Sequence, residues 1–285
     1  MSHFMVDVFN ASRPVLLTYL GLTETQIALY SAIYVWVSAL TQPFFGWISD
    51  RVGPRWLAAG GVLWMTVFYS GAIFIPGTWG LVSLIVAALG SSSFHPVGTV
   101  QATLQGRNRL QGKETTAASF FFMAGQTGHF IGPMITGLIL FKWGLPAMFV
   151  LPVVSIPVGF TLLYQLRHNH QHPKAKDDDG KIRLQATWGF IILLAMVATL
   201  QSWTQANMIN FFPKYLKDMG LNAATYGNIA GLFMGGSALG NLIGGYFGDR
   251  LPKRKVAATA LFLASIPIFI MSTSKQRSHM KRSLM

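Results

Sequence analysis

A chain of 285 residues with 52% hydrophobic and only 11% charged residues lies far below the roughly 25% charge of soluble domains, which excludes an ordinary water-soluble enzyme or binding module. The net charge of +13 raises a nucleic-acid reading, but the basic residues gather in alternate loops between apolar runs and so report membrane topology. The absence of cysteine removes disulfides, thiolate chemistry and Cys-ligated metals.

About 20 mostly apolar residues are needed to cross the hydrocarbon core of a bilayer. On that measure nine spans are predicted, roughly at 2–20, 27–48, 56–75, 79–103, 115–141, 146–166, 187–210, 226–248 and 256–273. The first, "SHFMVDVFNASRPVLLTYL", is apolar in texture yet carries Asp7 and Arg13. His3, Asp7, Asn10 and Pro14 follow at spacings of 4, 3 and 4 and therefore share one helical face, with Arg13 on another. A carboxylate inside a span is costly unless it faces a cavity or a partner, and such groups mark proton and ion pathways. Asp7 is thus the expected carrier of a coupling proton; snorkelling or pairing with a basic loop is the structural alternative. Arg13 reads equally as a ligand for an anionic substrate and as half of a structural ion pair.

The second span ends in "GWISDRVGPRW", Gly46 to Trp56. The third and fourth are separated by "IPGTWG", a Pro-Gly turn that cannot continue a helix. In the fourth, His95 precedes Pro96, whose missing N–H breaks the backbone ladder; irregular backbone at membrane depth survives only against protein or a cavity. His95 is a titrating or substrate-binding candidate, and His129 a weaker one.

The fifth span reads "GQTGHFIGPMITG", with Gly128 and Gly132 spaced for close helix packing. The stretch "RHNHQHPKAKDDDGKIR" after the sixth is a polar linker, although His168, His170 and His172 offer a metal alternative. Gln42, Gln126, Gln205, Asn207 and Asn210 are candidate cavity polar groups. In the eighth span Gly236, Gly240, Gly244 and Gly248 make a small packing face, and no phosphate loop, because no strand precedes it.

Fourteen of the 22 Lys and Arg lie in the loops at 49–55, 106–114, 167–186 and 249–255. By the positive-inside rule these loops and the N-terminus are cytoplasmic. The tail "KQRSHMKRSLM" brings four basic residues to the side that the rule disfavours.

Shifting the chain by 199 positions superposes Pro14 on Pro213, Gly21-Leu22 on Gly220-Leu221, and Asp50-Arg51 on Asp249-Arg250. Spans one to three echo spans seven to nine, a parallel repeat of the kind from which secondary transporters are built around a midplane site. Spans ten to twelve are absent, so the second half reads as incomplete and the chain as C-terminally truncated.

The turn at Gly46, Asp50, Arg51, Gly53 and Arg55 resembles the Gly-x-x-x-Asp-Arg-x-Gly-x-Arg loop of the major facilitator superfamily. The degenerate copy at Gly245, Asp249, Arg250 and Arg254 matches that family's second such loop. Within it, "SHFMVD" and "GSSSFHP" look like the fosmidomycin-resistance type of efflux transporter. The resemblance implies a cytoplasmic gate at these turns. It also implies an antiporter-like motif at Gly128, Gly132, Pro133 and Gly137.

The expected protein is all-α and integral to the membrane. It has a six-helix bundle at 1–166, a cytoplasmic linker at 167–186 and an incomplete bundle at 187–285. Its expected activity is proton-coupled efflux of a small organic molecule by alternating access, with uptake by symport or a non-functional truncated product as alternatives. The expected partners are substrate, protons and lipid. The chain is expected to be monomeric in the cytoplasmic membrane, with no enzyme activity, nucleic acid, metal or cofactor. The substrate and coupling candidates are His3, Asp7, Asn10, Arg13, His95, Gln126, Asn207 and Asn210.

Overall fold

The structure, a computed structural model, describes residues 1–109, 114–167, 188–248 and 250–282, and among them every regular element is helical. The helices are α1 (Ser2–Tyr19), α2 (Glu24–Val52), α3 (Pro54–Phe74), α4 (Thr78–Arg109), α5 (Glu114–Trp143), α6 (Val150–Gln165), α7 (Trp188–Asp218), α8 (Ala223–Gly248) and α9 (Lys253–Arg282), with a short 3-10 turn at Leu145–Phe149 before α6. Each α-helix falls on one predicted span. Most run past it at the ends, as α7 does in reaching Asp218, because apolar composition marks only the part in hydrocarbon whereas backbone hydrogen bonding carries the helix into the interface. Glu24–Val52, Pro54–Phe74, Thr78–Asn108 and Leu145–Gln165 are each long and apolar enough, by length and composition, to cross a membrane.

Two compact units are formed, Met1–Gly235 and Gly236–Met285. The first extends beyond the predicted linker at 167–186 because α7 lies against α1 and α2. Its centre is α1, in which every residue from His3 to Thr18 is buried except the half-buried Phe4 and Asn10. The outer helices turn large apolar side chains outward, including Trp36, Leu40 and Phe44 of α2, as a lipid-facing surface requires. α3 and α4 approach so closely that a Cβ on Gly61 would stand 2.5 Å from the Gly90 carbonyl oxygen, the small-residue packing by which membrane helices associate without a hydrophobic drive between them.

The repeat read from sequence is present in the backbone. Gly21 (φ +78°) and Gly220 (φ +88°) each end a helix in the left-handed region. The Leu22 amide donates to Leu17 O at 3.4 Å, and Leu221 to Leu216 O at 3.2 Å, the six-residue closure of a Schellman turn. The next helix is capped alike in both copies: Thr23 Oγ1 accepts from the Gln26 amide at 3.3 Å, and Asn222 Oδ1 from the Thr225 amide at 3.0 Å.

In the charged turn, Gly53 links α2 to α3 at φ +86°, ψ 160°, a region open essentially only to glycine. Replacing Gly53 with Ala is expected to cost about 1–3 kcal/mol, read as a lowered midpoint of thermal unfolding in detergent. The small face of the eighth span does not serve close packing among the described residues, since a Cβ on Gly236, Gly240 or Gly244 meets nothing within 4 Å, and the same is true of Gly46. Arg51 stacks over Trp47 at 3.7 Å, and Asp50 is exposed and takes part in none of the described ion pairs. Asp249, the side-chain environment of Gly245, and His168, His170 and His172 lie outside the described residues.

Candidate functional site

The site is assembled on α1 because α5 presents glycines where the α1 backbone passes closest to it. A Cβ on Gly128 would stand 2.5 Å from the Phe4 carbonyl oxygen, one on Gly132 2.9 Å from that of Val8, and one on Gly125 2.5 Å from Asp7 Oδ2. Gly128 and Gly132 of the predicted antiporter-like motif, with Gly125, therefore let the α1 backbone lie on α5, whereas Gly137 faces Ala223 and Gly227 of α8. Ser12 and Thr136 lock the crossing through a buried 2.6 Å hydrogen bond from Thr136 Oγ1. Gly128→Ala pushes a methyl group into a backbone carbonyl that cannot rotate away, and overpacking of this kind costs about 1–3 kcal/mol. The expected outcome is a lower unfolding midpoint and loss of transport together, checked by thermal unfolding in detergent beside a vesicle assay.

Asp7 is 4% exposed and is ringed by imidazoles. His3 Nε2 lies 3.0 Å from Asp7 Oδ2, and His95 Nε2 and His129 Nε2 lie 3.4 and 3.5 Å from Oδ1. Asn10 Nδ2 donates to the same Oδ1 at 3.0 Å and also to Ser91 Oγ at 3.0 Å. Among the described residues the partners of Asp7 are thus Asn10 and histidines of α1, α4 and α5, and no basic loop residue is among them. His3 Nδ1 meets the Phe121 carbonyl at 2.7 Å and His95 Nδ1 the Ser91 carbonyl at 2.8 Å. A carbonyl only accepts, so both rings carry their proton on Nδ1 and turn Nε2 toward the carboxylate.

A path of two hydrogen bonds and one cation–π contact leads from this cluster to Arg13. Tyr34 Oη donates to Asn10 Oδ1 at 2.6 Å, and the Arg13 guanidinium lies 4.3 Å from the centroid of the Tyr34 ring. Arg13 Nη2 donates to Asn210 Oδ1 at 3.0 Å. Its Nε is buried without an acceptor, and it forms no ion pair among the described residues. Arg13 stands about 120° round the helix from Asp7, yet it borders the same cavity, so the separate face expected for it is corrected: a long side chain brings it back.

That cavity has a volume of about 660 Å³ and is bordered by residues of α1, α2, α4, α5, α7 and α8. Its lining includes Asp7, Asn10, Arg13, His95 and His129. The positions 199 residues on from Asp7, Asn10 and Arg13 are Ala206, Ile209 and Phe212, and all three line it too. Asn210, Gln42 and Pro133 also line it, whereas Gln126 and Asn207 are exposed and do not.

Tyr34, Ser91 and His129 join the site without having stood out as leading candidates. None has a spacing signal of its own, because each reaches Asp7 or Asn10 from another helix. His3, Asp7 and His95 present ligand atoms that all lie within 4.8 Å of one another, a donor set not anticipated from the sequence.

Comparison with known proteins agrees with this architecture. The profile of the Major Facilitator Superfamily matches residues 1–274. The chain is 27% identical to the fosmidomycin resistance protein of Escherichia coli (strain K12) over 272 residues, covering 90% of the chain and 65% of that protein. It is 26% identical to the uncharacterized MFS-type transporter YfnC of Bacillus subtilis (strain 168), covering 92% and 66%. It is also 27% identical over 203 residues to the putative multidrug resistance protein MdtD of Yersinia pestis (strain Pestoides F), covering 68% of the chain and 39% of that protein. The chain therefore spans at most about two thirds of the length of these relatives. A helical fold built on a 199-residue repeat, a polar cavity bordered by six helices, and a family profile over almost the whole sequence lead to one conclusion: this chain belongs to the Major Facilitator Superfamily of multi-pass membrane transporters.

Proposed function

We propose that the protein exports a small organic molecule across the cytoplasmic membrane in exchange for protons, by alternating access of two halves around the cavity on α1. The observation that carries this reading is the buried Asp7 among three histidines, facing a cavity that also holds Arg13. An ionisable group within a span is a site for ion movement by default, and here it is joined to Arg13 through Asn10 and Tyr34. Occupation of the cavity and the charge on Asp7 can therefore influence one another. The relatives named for fosmidomycin and multidrug resistance favour export over uptake. The paired charged turns after α2 and α8 serve as the cytoplasmic gate, with the N-terminus on the same side and the monomer as working unit.

The cavity suits an amphipathic cargo, with its anionic end at Arg13 and its apolar body against Ile209, Phe212 and Phe233. Inside-out vesicles from cells making the chain test this. An imposed proton gradient is expected to drive uptake of fosmidomycin or a related organic acid into these vesicles, and dissipating the gradient to stop it. Gradient-driven accumulation in intact cells, with no such uptake by inside-out vesicles, would replace export by symport.

A further inference from the structure

We propose that the cluster around Asp7 is also a binding site for a divalent first-row transition metal ion, with Zn²⁺ the best fit, held by His3 Nε2, His95 Nε2 and the Asp7 carboxylate. The inference concerns occupancy of the cluster and is independent of the direction of transport; a bound metal ion would compete with the proton proposed for Asp7.

Its first support is a conflict of lone pairs. Because the Nδ1 protons of His3 and His95 are engaged by the Phe121 and Ser91 carbonyls, the rings when neutral aim Nε2 lone pairs at a carboxylate that can only accept when ionised. Nitrogen and oxygen stand 3.0 and 3.4 Å apart across these gaps, so a cation belongs between them, either a proton on each Nε2, making a charge-assisted hydrogen bond, or a metal ion in place of those protons. A single metal ion supplies it for both rings at once.

The second support is the dimension of the cluster. Zinc bonds to nitrogen and oxygen of about 2.0–2.1 Å in a tetrahedron place neighbouring ligand atoms about 3.3 Å apart; His3 and His95 stand 3.0 and 3.4 Å from the two Asp7 oxygens, and with all the ligand atoms within 4.8 Å of one another a small inward turn of the rings completes the set. The third is the outer shell. A metal-binding histidine characteristically donates its other ring N–H to a carbonyl or carboxylate, and both rings do so here. The ligating carboxylate is itself held, by Asn10. His95 and Asp7 border the cavity, which provides an entry path. A set of imidazoles with one carboxylate and no thiolate selects zinc, cobalt or nickel rather than calcium or magnesium.

Cobalt tests this directly, since Co²⁺ in such a set absorbs visible light. The full 285-residue chain, purified in detergent and stripped with a chelator, is titrated with Co²⁺ alone and then with Zn²⁺. The expected result is a visible band that saturates at one equivalent and is bleached by Zn²⁺. His3→Asn and His95→Asn should each abolish it. Asn10→Ala, which frees the carboxylate, should weaken binding about 10- to 100-fold. Joint replacement of His168, His170 and His172 with Ala should leave the band unchanged. Should His3→Asn fail to fold, His95→Asn on α4 carries the same outcomes. The proposal is overturned by an absent band, by a band that survives in folded His95→Asn protein, or by a band lost with His168, His170 and His172.

Discussion

Replacing Asp7 with Asn is expected to abolish gradient-driven transport while leaving the protein inserted and folded. Asn is nearly isosteric, so the close fit of α1 against Gly125 and Gly128 is kept. What is lost is the one carboxylate bordering the cavity among the described residues. Without it the His3, His95 and His129 Nε2 atoms face a neutral amide, and the cluster no longer exchanges a charge between its two accessible states. The expected loss is at least about 100-fold in the initial rate of proton-driven uptake by inside-out vesicles, set against an unchanged amount of protein in the membrane. Downhill movement of substrate without a gradient should survive, because the Arg13 side of the cavity is untouched. Coupled transport by Asp7→Asn at the wild-type rate would remove Asp7 from the mechanism.

The second large effect is expected at Arg13. A buried guanidinium whose described partners are an amide oxygen and an aromatic face has donors to spare, and its Nε has no acceptor. Hydrogen bonds to a charged group contribute about 1.5–3 kcal/mol, so Arg13→Gln should weaken the affinity for an anionic cargo about 10- to 100-fold. The loss should appear as a raised half-saturation concentration, with little change in the maximal rate. Arg13→Lys should restore little, because a point charge on a flexible stem can reproduce neither the planar stack on Tyr34 nor the fork toward Asn210. An unaltered half-saturation concentration in Arg13→Gln would show that the cargo does not meet this residue and that the guanidinium is structural.

Much of the fold is legible in the sequence, since a membrane helix announces itself by length and composition and a repeat by coincidence at a fixed shift. The turn glycines Gly21, Gly53 and Gly220 could be singled out because left-handed or extended positive-φ backbone leaves few other residues. Asp7 was legible because a carboxylate in an apolar run is expensive. Its full environment was not. His129 lies on α5 and Tyr34 on α2, and nothing local marks a tyrosine or histidine that will be brought to Asp7 or Asn10 only when three or four helices assemble. The same limit explains the candidates that fell away: Gln126 and Asn207 are polar residues in apolar spans, but their rotational position on α5 and α7 turns them out of the cavity. The α5 glycines show the opposite case, in which a family motif and plain packing geometry make the same demand on sequence.

The duplicated scaffold carries unduplicated chemistry, and this determines how water fills the cavity. Along α1 the carboxylate, amide and guanidinium can each hold hydrogen-bonded water, whereas the matching positions Ala206, Ile209 and Phe212 offer no donor or acceptor side chain to replace the bonds a water loses there. The cavity is therefore better hydrated along α1 than at these three α7 positions, among which Asn210 is the polar neighbour. An entering molecule releases poorly bonded water from the α7 side at a gain, while on the α1 side it must match the bonds of the water it displaces or leave that water in place. Affinity would then come mainly from the apolar wall and selectivity from the polar one, so that a single duplicated helix frame divides the two tasks between its copies.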